Sequence, residues 1–192
     1  MSPIRPIIRA IVLSAALAVP AVAGNATASA TSPTCPVVYW GSLPKDVAAS
    51  GPTETISNLR TGRHECYDRL VVDIKGSGPV GYDVRYVDNV FTEGRGSLIA
   101  LAGGAKIQII ARAPAYDINT GMITYSPIDQ AHSHQLTNVA GYRTFRQVAF
   151  GGSFEGQTTF GLGVRARLPM RAFVLVGPGD GQRLVVDVAH KW

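Results

Sequence analysis

Six residues occur twice in this chain. Arg69-Leu70-Val71-Val72-Asp73-Ile74 returns as Arg183-Leu184-Val185-Val186-Asp187-Val188, with Val for Ile as the one change. Branched side chains favour extended backbone. Each copy also sits against a turn signal: Gly76-Ser77-Gly78-Pro79 follows the first and Gly177-Pro178-Gly179-Asp180-Gly181 precedes the second. Both copies therefore read as β-strands, one opening the patterned part of the chain and one closing it. Within one copy Arg69 and Asp73 share a face but stand ~13 Å apart at roughly 3.3 Å per residue, too far to bridge. If the copies pair antiparallel in register, Arg69 faces Asp187 and Arg183 faces Asp73. Two cross-strand ion pairs then form at once, each stabilising by roughly 0.2–1 kcal/mol. The rival arrangement places the copies in separate sheets related by pseudo-symmetry.

The residues between them keep the same period. Tyr82, Val84 and Tyr86 alternate with Asp83 and Arg85, and Ile107, Ile109 and Ala111 with Lys106, Gln108 and Arg112. Short runs over 97–101, 142–150, 158–164, 172–176 and 183–189 complete the pattern, and no stretch sustains helical periodicity. The 21 glycines suit tight turns and bulges. This predicts an all-β fold, an antiparallel β-sandwich or flattened barrel of about eight to ten short strands with Gly-rich turns. Residues 31–60 read as an extended, turn-rich lead-in with one short strand at Val37–Trp40, and residues 61–192 as the folded domain. Residues 113–140 form the longest polar interruption, of a length that is usually functional or mobile.

The first 30 residues have the form of an export signal. Arg5 and Arg9 precede an apolar run over 11–22, and Ala28-Ser29-Ala30 offers a small-x-small cleavage site, with Ala21-Val22-Ala23 as a second. The apolar run is short and broken by Pro20, so no stable membrane span is expected after cleavage. The general secretory route is expected, because the Arg-Arg pair of the twin-arginine route is absent. Once Arg5 and Arg9 are removed the net charge falls from +5 to +3 with no basic run, which argues against nucleic acid as a partner. An exported chain with two cysteines, Cys35 and Cys66, is expected to join them in a disulfide.

Candidate chemistry is sparse. His132-x-His134 would direct two imidazoles to one side of a strand, the pattern of a metal site, with Asp117, Asp129, His64 or His190 as a third ligand. The plain reading is a polar loop, and neither metal nor cofactor is expected. Gly152-Ser153-Phe154-Glu155-Gly156 resembles a nucleophile elbow but has Glu155 where the last glycine belongs. Glu155 is also a candidate binding carboxylate, and with Asp117 or Asp129 it would make a glycosidase pair, although no distinctive context supports one. Tyr142, Arg143, Phe145 and Arg146 place guanidinium groups beside aromatic rings, an arrangement that recognises sugars, peptides or carboxylates by stacking and forked hydrogen bonds. The alternative there is an edge strand with solvated arginines.

Taken in order, His64–Asp73, Gly81–Val87, Ala113-Pro114-Ala115, Gly152–Gly156, Gly161-Leu162-Gly163-Val164 and Arg183–Val188 resemble the AMIN-like domain of secreted actinobacterial proteins. The resemblance runs from about residue 61 to residue 190. That domain is named for the AMIN module of cell-wall amidases and secretins. The resemblance implies a sandwich-like, non-catalytic module of the cell envelope that binds peptidoglycan or an envelope protein. AMIN modules usually accompany an enzymatic or pore-forming domain, which the residues after the leader do not accommodate. The expected function is thus a secreted or wall-associated binder of cell-wall glycan or an envelope partner. The alternatives are a small secreted hydrolase using the His132/His134 loop, and a carrier holding an apolar ligand inside the sandwich.

Overall fold

The computed structural model describes residues 35–48, 54–129 and 132–192. The leader expected over 1–30 lies outside these residues. The described part is built from β1 (Lys45–Val47), β2 (Thr55–Arg63), β3 (Tyr67–Lys75), β4 (Gly81–Val87), β5 (Val90–Phe91), β6 (Leu98–Ile99), β7 (Ala105–Arg112), β8 (Phe145–Phe154), β9 (Gln157–Val164), β10 (Met170–Val176) and β11 (Gln182–Ala189). A single 3-10 turn spans His132–His134. Two antiparallel sheets pack face to face, ordered β1-β4-β7-β9-β8 and β10-β11-β3-β2. Both keep open edges, so the fold is a sandwich and not the closed barrel that the strand pattern also allows.

The repeated hexapeptides lie side by side. β11 and β3 pair antiparallel with Arg183 opposite Asp73 and Asp187 opposite Arg69, the register in which the copies face each other head to tail. Period-2 alternation then sends Leu70, Val72 and Ile74, with Leu184, Val186 and Val188, into the core. They meet Val84, Ile107, Ile109, Phe160 and Leu162 from the facing sheet, all fully buried. Burial of this kind contributes about 1.5–3 kcal/mol per large apolar side chain. Two tyrosines of β4 bridge the layers at one side. Tyr82 donates to the Ala172 carbonyl at 2.9 Å and Tyr86 to that of Leu168 at 2.8 Å, which covers part of the β10 edge.

Three local expectations are corrected. β2 has nine residues, and it begins at Thr55, inside the segment read as a loose lead-in. A bulge between Ile56 and Asn58 interrupts its alternation, so Ile56 and Leu59, three apart, both reach the core. Val37–Trp40 is not a strand; it joins no ladder, and its Trp40 ring packs on Arg171 and Tyr67. Tyr142–Thr144 form a bend before β8, so the strand expected from residue 142 begins at Phe145.

Residues 35–48 strap the sandwich. Cys35 is bonded to Cys66 at the start of β3, as expected. The strap then passes the β10 edge, where the Gly41 carbonyl accepts from Met170 N at 2.8 Å, and ends as β1 against β4 in the other sheet. On the outer face of the five-stranded sheet, β5 and β6 cover a small second cluster of Val90, Ile99, Leu101 and Ala149. The segment at Ala102 crosses directly over Gly163, where an added Cβ would stand 2.1 Å from the Ala102 carbonyl oxygen. Only glycine admits that backbone approach.

Candidate functional site

The outer face of the four-stranded sheet carries a cluster of charged and aromatic groups. In the register of β10, β11 and β3, Arg171, Asp187 and Arg69 lie directly opposite one another. Arg69 grips Asp187 with two bonds, Nε to Oδ1 at 2.7 Å and Nη2 to Oδ2 at 2.9 Å. Arg171 Nε adds a third at 2.8 Å to Oδ2. The Asp187 side chain is fully buried beneath these two guanidinium groups, while those of Arg69 and Arg171 remain 22% and 38% exposed. The bond to Asp187 raises the Arg69 pKa further. One carboxylate against two guanidinium groups leaves a net positive charge held in place.

Aromatic rings enclose those cations. The Arg171 guanidinium lies 4.2 Å from the Trp40 ring centroid and 5.1 Å from that of Phe173. Arg69 lies 5.2 Å from Tyr67 and 5.7 Å from Phe173. These are cation–π distances. Trp40 meets Tyr67 edge-on at 5.8 Å. The strap that brings Trp40 here also presents Tyr39, 94% exposed beside it.

Farther along the same face the second copy of the repeat is wired differently. Arg183 faces Asp73, but Asp73 is held by Arg60 of β2, through Nε and Nη2 at 2.9 Å each. Asn58 donates to the same carboxylate at 3.2 Å. Of the two cross-strand bridges expected from the repeat, Arg69–Asp187 forms and Arg183–Asp73 does not. The reason is a competing arginine from a strand that the sequence pattern hides.

Of the binding residues singled out from sequence, Tyr142, Phe145 and Arg146 line one cleft, and Glu155 is not among its lining residues. Phe145 is fully buried in the core and stacks on Tyr142 at 5.7 Å. Tyr142 donates to Thr61 Oγ1 at 2.9 Å. Arg146 donates to the carbonyls of Tyr142, Phe145 and Arg143 at 3.2, 2.8 and 3.3 Å, and so holds together the bend that precedes its own strand. Arg143 reaches the Glu65 carbonyl at 3.5 Å. The cleft is open, with a volume of about 450 Å³, and Gln135 and Asn138 line it as well. Glu155 is exposed at the β8–β9 turn with φ of 48°.

His132 and His134 lie on the 3-10 turn and not on a strand, so the alternation that would aim both rings one way is absent. His132 Nδ1 stands 2.8 Å from Asp129 Oδ1, with both side chains more than half exposed. His190 is buried against Asp68, with Nε2 3.0 Å from Oδ1, while Asp68 Oδ2 accepts from Thr144 N and Phe145 N. His64 stacks on Tyr67. Among the described residues no three His, Cys, Asp or Glu side chains gather as a metal site would require. Ser153 Oγ is engaged by the Ala115 amide, the Gln157 carbonyl and the Thr158 hydroxyl, the pattern of a hydroxyl that ties a turn together.

The described residues form a two-sheet sandwich module with a disulfide-anchored strap and a cationic, aromatic outer face. The chain belongs to the AMIN-like domain family, whose model matches residues 54–190. That span takes in every strand from β2 to β11. Compared with curated proteins, the chain matches none. Membership suggests a module associated with the cell envelope, and such domains are generally non-catalytic. The disulfide is consistent with an extracytoplasmic setting. Among the described residues no helix is long and apolar enough to cross a membrane.

Proposed function

We propose that the protein is an exported, non-catalytic envelope module that binds cell-wall glycan through the outer face of β10-β11-β3. One observation carries this reading: two guanidinium groups, fixed by a fully buried carboxylate, are framed by Trp40, Tyr67 and Phe173. Rings of this kind stack on sugar faces, and a held guanidinium fork bonds carboxylates with little loss of side-chain entropy. Arg171 supports the role directly, since its two terminal nitrogens have no hydrogen-bond partner among the described residues. Tyr39 adds an exposed ring at the rim.

The supporting experiment is co-sedimentation of the protein, freed of residues 1–30, with purified cell-wall polymer at low salt. Wild-type protein should pellet with the polymer. A Tyr39→Ala/Arg171→Ala variant with unchanged circular dichroism should stay largely in the supernatant. Wild-type protein that remains wholly soluble would refute direct wall binding.

A further inference from the structure

The two copies of the repeat have the same Arg and Asp at equivalent positions in the register, but only one of their arginines is satisfied. Arg69 has its aspartate. Arg183 has lost its counterpart to Arg60, and none of its side-chain nitrogens has a hydrogen-bond partner among the described residues. Its Nε is buried from solvent as well. A buried donor on a charged group left unpaired costs on the order of 1–3 kcal/mol, so such a group calls for a partner from outside the chain.

The surroundings fit one class of partner. Arg183 lines an open cleft of about 370 Å³ with Arg60, Lys75, Asp73, Asp180 and the Gly177–Gln182 turn. Asp73 is neutralised by its forked bond to Arg60. Arg183 and Lys75 then face one remaining carboxylate, Asp180, and the cleft keeps a positive charge. The turn is built and not loose: Gly177 N donates to the Gly181 carbonyl at 2.7 Å, and Gln182 Nε2 fastens it to the Gly76 and Gly78 carbonyls.

We infer that this cleft is an oxyanion subsite. A carboxylate or phosphate group of the bound polymer takes the place against Arg183 that Asp73 vacates, with Lys75 as a second contact. The guanidinium fork matches either anion in a two-point bond. The inference rests on the wall-polymer reading for its source of ligand, and it adds the chemical group recognised. Arg183 stands four residues from Asp187 on β11, so the subsite lies ~13 Å along the strand from the aromatic cluster. A polymer lying along the strand spans both.

The test is an amide chemical-shift titration of the folded protein with sodium phosphate and, separately, sodium acetate at constant ionic strength. It is independent of sedimentation, so the subsite can fail while wall binding stands, and the reverse. Saturable shifts confined to Lys75 and residues 177–183 are expected. Arg183→Gln should weaken the affinity about tenfold, the loss of one charge-assisted pair. Asp73→Asn, which frees Arg60 and removes a carboxylate, should strengthen it. Should Arg183→Gln fail to fold, Arg183→Lys keeps the charge, loses the fork, and should bind weaker than wild type. Tighter binding of phosphate points to phosphodiester polymers and tighter binding of acetate to carboxylate-bearing ones. Shifts that do not saturate, or equal affinities in wild type and both Arg183 variants, overturn the subsite.

Discussion

Arg69 and Asp187, 118 residues apart in sequence, sit opposite each other on β3 and β11 and are joined by two hydrogen bonds of 2.7 and 2.9 Å. The aspartate side chain has no exposure at all. Removing its charge leaves two guanidinium groups crowded together without compensation. Asp187→Asn should therefore destabilise by about 3 kcal/mol in urea unfolding, a typical loss when a buried pair is broken from one side. Asp73→Asn, whose partner Arg60 is half exposed, should cost less than about 1 kcal/mol.

This pair was within reach of sequence reading, because strands have a side-chain period of two and the Arg–Asp spacing is the same in both copies. The partner of Asp73 was not. Its competing arginine, Arg60, comes from β2, and the bulge between Ile56 and Asn58 removes the alternation by which β2 could be recognised. The aromatic cluster was also hidden. Trp40 reaches Arg171 because the strap crosses the sheet, and local periodicity carries no information about that path. At Tyr142 the difficulty runs the other way. Polar and apolar residues alternate through the bend as they do in β8, so pattern alone extends the strand too far.

The strap makes the disulfide a stability element. Cys35 and Cys66 are 31 residues apart, and a cross-link over a loop of that size contributes about 3–4 kcal/mol. Reduction should lower the urea midpoint accordingly. It should also change the Trp40 fluorescence before global unfolding, as the ring leaves Arg171.

Buried and half-buried tyrosines set the alkaline limit. Burial pushes Tyr125, which packs edge-on against Phe150 and Phe160, up to about 12. Burial also raises Tyr82 and Tyr86. A phenol held neutral by the fold stabilises it fully below the unfolded value near 10, and that contribution is lost as pH rises through the folded value. Stability should thus fall between about pH 10 and 12. Tyr125→Phe should remove the last step of the ultraviolet phenolate titration.

The Arg146 guanidinium is spent on three carbonyls of its own bend. Arg146→Ala should lower the thermal midpoint by a few degrees, about 1 kcal/mol of lost hydrogen bonding, while leaving polymer binding within about twofold of wild type. Arg143→Ala should behave as wild type in both measurements.

The proposed wall-binding face is tested most directly by the fraction of protein that sediments with purified cell-wall polymer at low salt. Wild type, Arg143→Ala and Arg146→Ala should pellet alike, and the folded Tyr39→Ala/Arg171→Ala variant should remain in solution. Pelleting that survives in the Tyr39/Arg171 variant but is lost in the Arg146 variant would place the binding surface at the Tyr142–Arg146 bend and contradict the outer face of β10-β11-β3 as the site.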